Sequence, residues 1–150
     1  MPILEKFKTY IQDGNGMGMG TRDALMKPEY QRALGARVVD DTHIVVFFDG
    51  PTAGRTIQNL EQNQMVSVVA CSFSFESYQF KGKSIRWSEA TEEENGFVEE
   101  YLKKFNDSME VFGLGENFVY KYPHSKMMAL LMEVTDVFEQ TPKIGTGQKV

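Results

Sequence analysis

A single cysteine, Cys71, set inside an apolar run, rules out an intramolecular disulfide and a thiolate cluster for a metal, and points to a reducing compartment. Histidine is nearly as scarce. His43 and His124 cannot furnish a conventional metal site by themselves, and neither shows an acid–base partner in the sequence, so no metal is expected and no catalytic side chain is named. Cations are in deficit as well, with 16 Lys and Arg against 21 Asp and Glu and a net charge of −5. That balance argues against a general nucleic-acid or anionic-membrane surface, because such surfaces rest on an excess of Lys and Arg. No apolar run approaches a membrane-spanning length, and the first twelve residues are amphipathic and charged rather than apolar. A cytoplasmic protein is expected.

What is present suffices for one domain, 1–150, with a real core, 41% of its residues being hydrophobic and 12% aromatic, and a flexible tail is expected over 141–150. The run Ile44–Phe48 is short, β-branched and aromatic, ends at Asp49-Gly50-Pro51, and reads as a buried strand. The period then becomes helical. Ala53, Ile57 and Leu60 recur at i, i+4 and i+7, Pro51 and Thr52 mark the start, and Asn63 marks the stop. Arg55 and Thr56 thus fall in the first turn, where unpaired N–H groups and the positive end of the helix dipole favour an anion. From these residues alone two readings stand: a phosphate seat, or a capped surface helix carrying one solvated arginine.

Elsewhere, Pro2–Gln12 carries Ile3, Leu4, Phe7 and Ile11 at helical spacing, and Gly14 stops it. Gly14, Gly16, Gly18 and Gly20 alternate with Asn15, Met17 and Met19, so one face of an extended chain is bare backbone. It is a strand that some other group approaches closely, or a flexible linker; Thr21-Arg22-Asp23 and the turn to Pro28 favour the strand. Glu29–Val39 alternates as one strand, on which Arg32 and Arg37 lie on opposite faces unless Gly35 makes a bulge that lets them converge. Met65–Phe73 and Tyr78–Trp87 read as a hairpin with Gln79, Lys81 and Lys83 on one face and a bulge at Gly82. Thr91 and Glu94 make a capping box for a helix whose stripe Phe97, Tyr101 and Phe105 is core. Val111–Ser125 is irregular, with Tyr120, Tyr122 and His124 covering a sheet or lining a cleft, and Met127–Phe138 is a closing strand. Six strands and three helices without parallel βαβ alternation predict a mainly β protein, an antiparallel barrel with peripheral helices.

Taken in series, Thr21-Arg22-Asp23 with Pro28, Tyr30-Gln31-Arg32 with Arg37, Phe47-Phe48-Asp49, Arg55-Thr56 ahead of Asn59-Leu60 and Asn63, Val66–Val69 and Phe80–Lys83 resemble the FMN-binding split barrels related to pyridoxamine 5'-phosphate oxidase. The likeness covers nearly half the chain, from Met17 to about Arg86. It implies a six-stranded antiparallel split barrel and a homodimer with FMN in two clefts at the subunit interface. It also implies that Arg55, with Thr56 beside it, grips the FMN phosphate, that Arg32 and Arg37 reach the phosphate and the edge of the ring, and that Phe48 and Asp49 contact the ring. The family's flavin-contacting Gln matches Ser77, a departure, with Gln79 two residues on as a substitute and Lys81 on the same face. The function implied is an FMN-dependent oxidoreductase acting on a small molecule, with NADH or NADPH as reductant. The alternatives are a non-catalytic flavin, deazaflavin or haem binding or sensing protein, and a flavin-free dimer that acts only through interaction. Oxidation of pyridoxine or pyridoxamine 5'-phosphate is not expected: the family's C-terminal Trp and late Arg-Leu-x-Pro element are missing, Trp87 lies mid-chain, and no arginine follows Phe138.

Overall fold

The computed structural model describes residues 4–113 and 126–150. The amphipathic start forms a 3-10 turn, Glu5–Phe7, that runs into helix α1, Lys8–Ile11, and buries Leu4, Phe7 and Ile11; Pro2 and Ile3 lie outside the described residues. The glycine-alternating segment is a strand, β1 (Gly16–Arg22), whose Met17 and Met19 enter the core. β2 (Pro28–Ala33) pairs with it in a hairpin.

The single strand expected over Glu29–Val39 is in fact two, β2 and β3 (Gly35–Val38), so seven strands replace six. The break has a local cause. Gly35 adopts φ +135, open to glycine but strained for other residues, and the Leu34 N–H turns to donate to the Phe47 carbonyl at 2.7 Å. The chain leaving β2, the partner of β1, thereby passes into β3, the partner of β4 (His43–Asp49). Helix α2 (Gly54–Gln62), β5 (Met65–Cys71), β6 (Ser77–Glu89), helix α3 (Glu92–Met109, then a 3-10 turn over Glu110–Phe112) and β7 (Met127–Glu139) follow.

All pairings are antiparallel, in the order β2-β1-β5-β6-β7-β4-β3. Because Leu34 alone joins β2 to β3, the two ends of this order are neighbours along the chain, so the sheet must curl until they approach. The product is a half-barrel around Met19, Val46, Phe48, Val68, Phe80 and Met132, all fully buried. β4 is apolar on both faces: Val45 and Phe47 lie on the outer one in a second cluster with Leu34, Val98 and Met127, against which Phe97 of α3 packs.

The capping box is present, with the Thr91 hydroxyl accepting from Glu94 N–H at 3.2 Å and the Glu94 carboxylate from Thr91 N–H at 3.0 Å. Further along α3, the Tyr101 ring lies against Gly35 and its hydroxyl donates to the Asn15 carbonyl at 2.5 Å. Helix α2 closes one end of the barrel. Its Asn59 amide donates to the Thr21 hydroxyl (3.1 Å), and the Asn63 amide just beyond it to the Arg22 carbonyl (2.8 Å). No described helix is long and apolar enough to cross a membrane.

The tail expected to be loose is instead folded back. β4 accompanies β7 only as far as Glu133, which leaves the end of β7 with an open edge. The last residues cover it: Val150 N–H donates to Val137 (2.8 Å), Glu139 N–H to Gln148 (2.9 Å), and Lys143 pairs with Glu139 at 3.6 Å. Gly145 and Gly147, at φ +98 and +90, provide the turn.

Candidate functional site

The start of α2 follows from the end of β4. Ala53 N–H donates to Gly50 and Ile57 N–H closes the first helical bond onto Ala53, so the N–H groups of Gly54, Arg55 and Thr56 are the first-turn donors left without intrahelical carbonyls. No side chain caps them. Space above Gly54 is open, with no atom within 4 Å of where a Cβ would stand. The Arg55 side chain is more than half exposed and makes one long ion pair, 3.9 Å, with Glu29 of β2. Thr56 is buried and its Oγ1 has no hydrogen-bond partner. Two carboxylates border this end. Glu29 is the first, and buried Asp49, with an unpaired Oδ1, is the second. An anion seated here therefore has to draw Arg55 away from Glu29.

Arg32 and Arg37 are placed differently. The kink at Leu34-Gly35 turns both toward α3, Arg32 over the ring of Phe105 (5.6 Å) and Arg37 over that of Phe97 (5.9 Å), two helical turns apart. Arg37 is further held by Glu93 and Glu94 at 3.8 and 3.9 Å. Arg32 shares the outer face of β2 with Tyr30, whose ring lies directly over the bare backbone of Gly18. Arg55 meets β2 through Glu29, on the opposite face of that strand from Arg32. Within the chain the structure thus gathers Arg55 and Thr56 at one site, and sets Arg32 and Arg37 apart from it and from each other, in separate clefts along α3.

Phe48 is fully enclosed in the core, so its ring faces no cleft. Ser77 is engaged on all sides: its N–H donates to Thr141 Oγ1 (3.0 Å), its hydroxyl to Phe75 (2.9 Å), and its carbonyl accepts from Gln140 N–H (2.8 Å). It also lies far from α2. Asp49 pairs with Met127 at one end of β7, whereas Tyr78 pairs with Glu139 at the other, roughly 40 Å apart along the strand. Gln79 and Lys81 fall between, in a cleft of about 610 Å³ on the outer face of β1, β5 and β6. There Gln79 donates to Ser67 Oγ (2.8 Å) and Lys81 lies over Phe138 (4.8 Å). The bulge expected at Gly82 is present as a register shift.

The shared face of Gln79, Lys81 and Lys83 is legible in the sequence; Glu29 beside Arg55, and Arg22 in the cleft of those lysines, are not. Neither has a local signal, because both contacts cross elements. His43 does have a partner: its Nδ1 lies 2.9 Å from Asp40, in an exposed turn at the far end of β4 from Asp49. The Asp40 carboxyl is held down to about 2, first by the Thr42 N–H and then by the His43 side chain. Tyr120, Tyr122 and His124 lie outside the described residues.

No protein-family profile and no curated protein sequence matches this chain. Its fold does match solved structures. It is similar to HupZ of group A Streptococcus (14% identity, TM-score 0.57, covering 95% of this chain and 97% of that one). It is also similar to an FMN-binding protein from Syntrophomonas wolfei (13%, 0.54, 90% and 84%). A third is a general stress protein 26-related protein of the pyridoxinephosphate oxidase family from Clostridium acetobutylicum (12%, 0.53, 97% and 96%). At these identities the likeness establishes the fold, the one expected from the ordered series of residues between Met17 and Arg86.

Proposed function

We propose that this chain, folded as an FMN-type split barrel, binds a flavin by its phosphate at the start of α2 and serves as an FMN-dependent oxidoreductase on a small molecule. The observation that carries the reading is the first turn of α2: free N–H donors, open space over Gly54, and an exposed arginine whose one ion pair is long. Thr56, with its unpartnered hydroxyl, fits the same role. Arg55 would hold the phosphate as a charge-assisted donor, and the dipole of α2 would add to it. Glu29 would be displaced, which tempers the affinity. A bound flavin supplies the electron transfer; the chain anchors it, excludes water and sets its polar contacts.

Homodimerisation belongs to the same proposal. Arg32 and Arg37 lie against α3 and Ser77 at the other end of β7 from Asp49, so a second copy of the chain would bring such contacts to a flavin anchored at Arg55. Pyridoxine 5'-phosphate is not the proposed substrate. The two tail lysines available for a second phosphate are occupied, Lys143 by Glu139 and Lys149 by Asp136.

The test is the visible spectrum of the purified protein with and without FMN, followed by NADH or NADPH under anaerobic conditions. Flavin bands that bleach on adding the nicotinamide support the oxidoreductase. A second reading, binding or sensing without turnover, is favoured by one observation: His43, the histidine among the described residues, is far from Arg55 along β4. Flavin bands that resist reduction select that reading, and a Soret band selects haem. Formation of pyridoxal 5'-phosphate at about 0.1 per second or faster, against typical enzyme rates of roughly 1–1000 per second, would overturn the exclusion of that substrate.

A further inference from the structure

The cleft of about 610 Å³ on the outer face of β1, β5 and β6 gathers Arg22, Lys81 and Lys83 on a chain whose net charge is −5. Strand register explains the convergence. Gly20, Ser67 and Lys81 form one row across three strands, and Met65 with Lys83 forms the next row on the side where Arg22 ends β1. Among the described residues, none of the three cations makes an ion pair within 4 Å; Arg22 donates only to the Asp23 carbonyl (3.1 Å) and Lys81 rests on Phe138. The carboxylate lining the cleft, Asp136, is bound by Lys149 and by the Thr135 hydroxyl, whose hydrogen bonds, with a smaller contribution from the charge of Lys81, hold its carboxyl below the usual range. Glu133, opposite Lys83 in the register, is not within ion-pair distance of it. Three like charges held close repel one another unless an anion is shared. Between them lie Met65, Val66, Pro28 and the bare backbone of Gly20, an apolar floor on which a flat body can rest.

We propose that this cleft binds a small organic anion, a phosphate or carboxylate headgroup on an apolar, planar body, with Arg22, Lys81 and Lys83 as its charge partners. The site stands independently of the flavin. Its identification as the substrate site rests on the proposed function, since Lys81 and Gln79 are also the residues expected beside the flavin ring.

The experiment uses flavin-free, ¹⁵N-labelled full-length protein titrated with 1-naphthyl phosphate, with neutral 1-naphthol as control. The proposal expects shifts at the Gly20, Ser67 and Gly82 amides, a dissociation constant of about 1 mM or tighter, and weakening as salt rises. The double variant K81Q/K83Q, at exposed positions, should keep the spectrum of the folded protein and lose at least about tenfold in affinity. Shifts confined to Gly54, Arg55 and Thr56, equal binding of naphthol, or an unchanged constant in the double variant would each overturn it. FMN titrated into the same labelled protein reads out the α2 site through the Gly54, Arg55 and Thr56 amides, so the two proposals can fail independently.

Discussion

Replacing Gly35 with alanine tests the joint that hands the chain from β2 to β3 and so closes the barrel. Two costs are calculable from the structure. At φ +135 a residue with a side chain is strained by about 1–3 kcal/mol. The added Cβ would also stand 2.8 Å from Tyr101 Cγ and 2.9 Å from Cδ1, and overpacking a core contact costs about 1–3 kcal/mol. Together G35A should cost about 2–6 kcal/mol, a large share of the roughly 5–15 kcal/mol available to a domain. At roughly 2–4 °C per kcal/mol for a chain of this length, the melting temperature falls by at least about 4 °C. Urea unfolding followed by circular dichroism measures the change. Pairing G35A with Tyr101→Ala separates the parts, because removing the ring relieves the contact but not the backbone, and the two losses should be less than additive. A G35A variant within about 0.5 kcal/mol of the parent would refute the hinge.

Three further outcomes follow from the same geometry. Asp40, held down to about 2, adds stability that is present above the ordinary carboxylate value of about 3.9 and is lost as pH falls toward 2; D40N should flatten the stability curve in that window, as read by urea unfolding across pH. Tyr10, Tyr78 and Tyr101 are all raised above the ordinary tyrosine value, chiefly by burial, and Tyr78 is pushed up to about 12. The folded protein should therefore show delayed tyrosinate absorbance and lose stability as pH rises from 10 through 12, whereas normal ionisation of all tyrosines at pH 10 would contradict the packing. Deleting residues 141–150 should destabilise by about 1–3 kcal/mol through the hydrogen bonds to Ser77, Val137 and Glu139, and an unchanged unfolding midpoint would show the tail to be dispensable.

Much of the architecture is legible in local pattern. The Thr91-x-x-Glu94 box, the run Ile44–Phe48, the i, i+4, i+7 spacing of Ala53, Ile57 and Leu60 and the bulge glycine at Gly82 each encode their element within a few residues, and the structure contains each. Gly35 is different. Alternation runs smoothly across Glu29–Val39, and the reason for a break, a tyrosine ring arriving from α3 and a carbonyl from β4, lies far away in sequence. The same distance dependence hid the tail, whose order comes from the open edge of β7 rather than from its own residues. At the candidate site, the position of Arg55 in a helical first turn follows from spacing alone. Whether Arg32 and Arg37 join it depends on the kink, which sends both to α3 and none to α2 within a protomer.

The central claim is that Arg55, at the start of α2, anchors the phosphate of a flavin. Titrating FMN into the flavin-free protein and its R55A variant, with quenching of flavin fluorescence as the signal, tests it most directly. The account predicts binding at micromolar FMN or tighter for the parent. In R55A it predicts a loss of roughly 1.5–3 kcal/mol, about 10- to 150-fold in the dissociation constant, with the unfolding free energy of the flavin-free variant within about 0.5 kcal/mol of the parent's. No binding at micromolar FMN, or the same dissociation constant in both proteins, would contradict it.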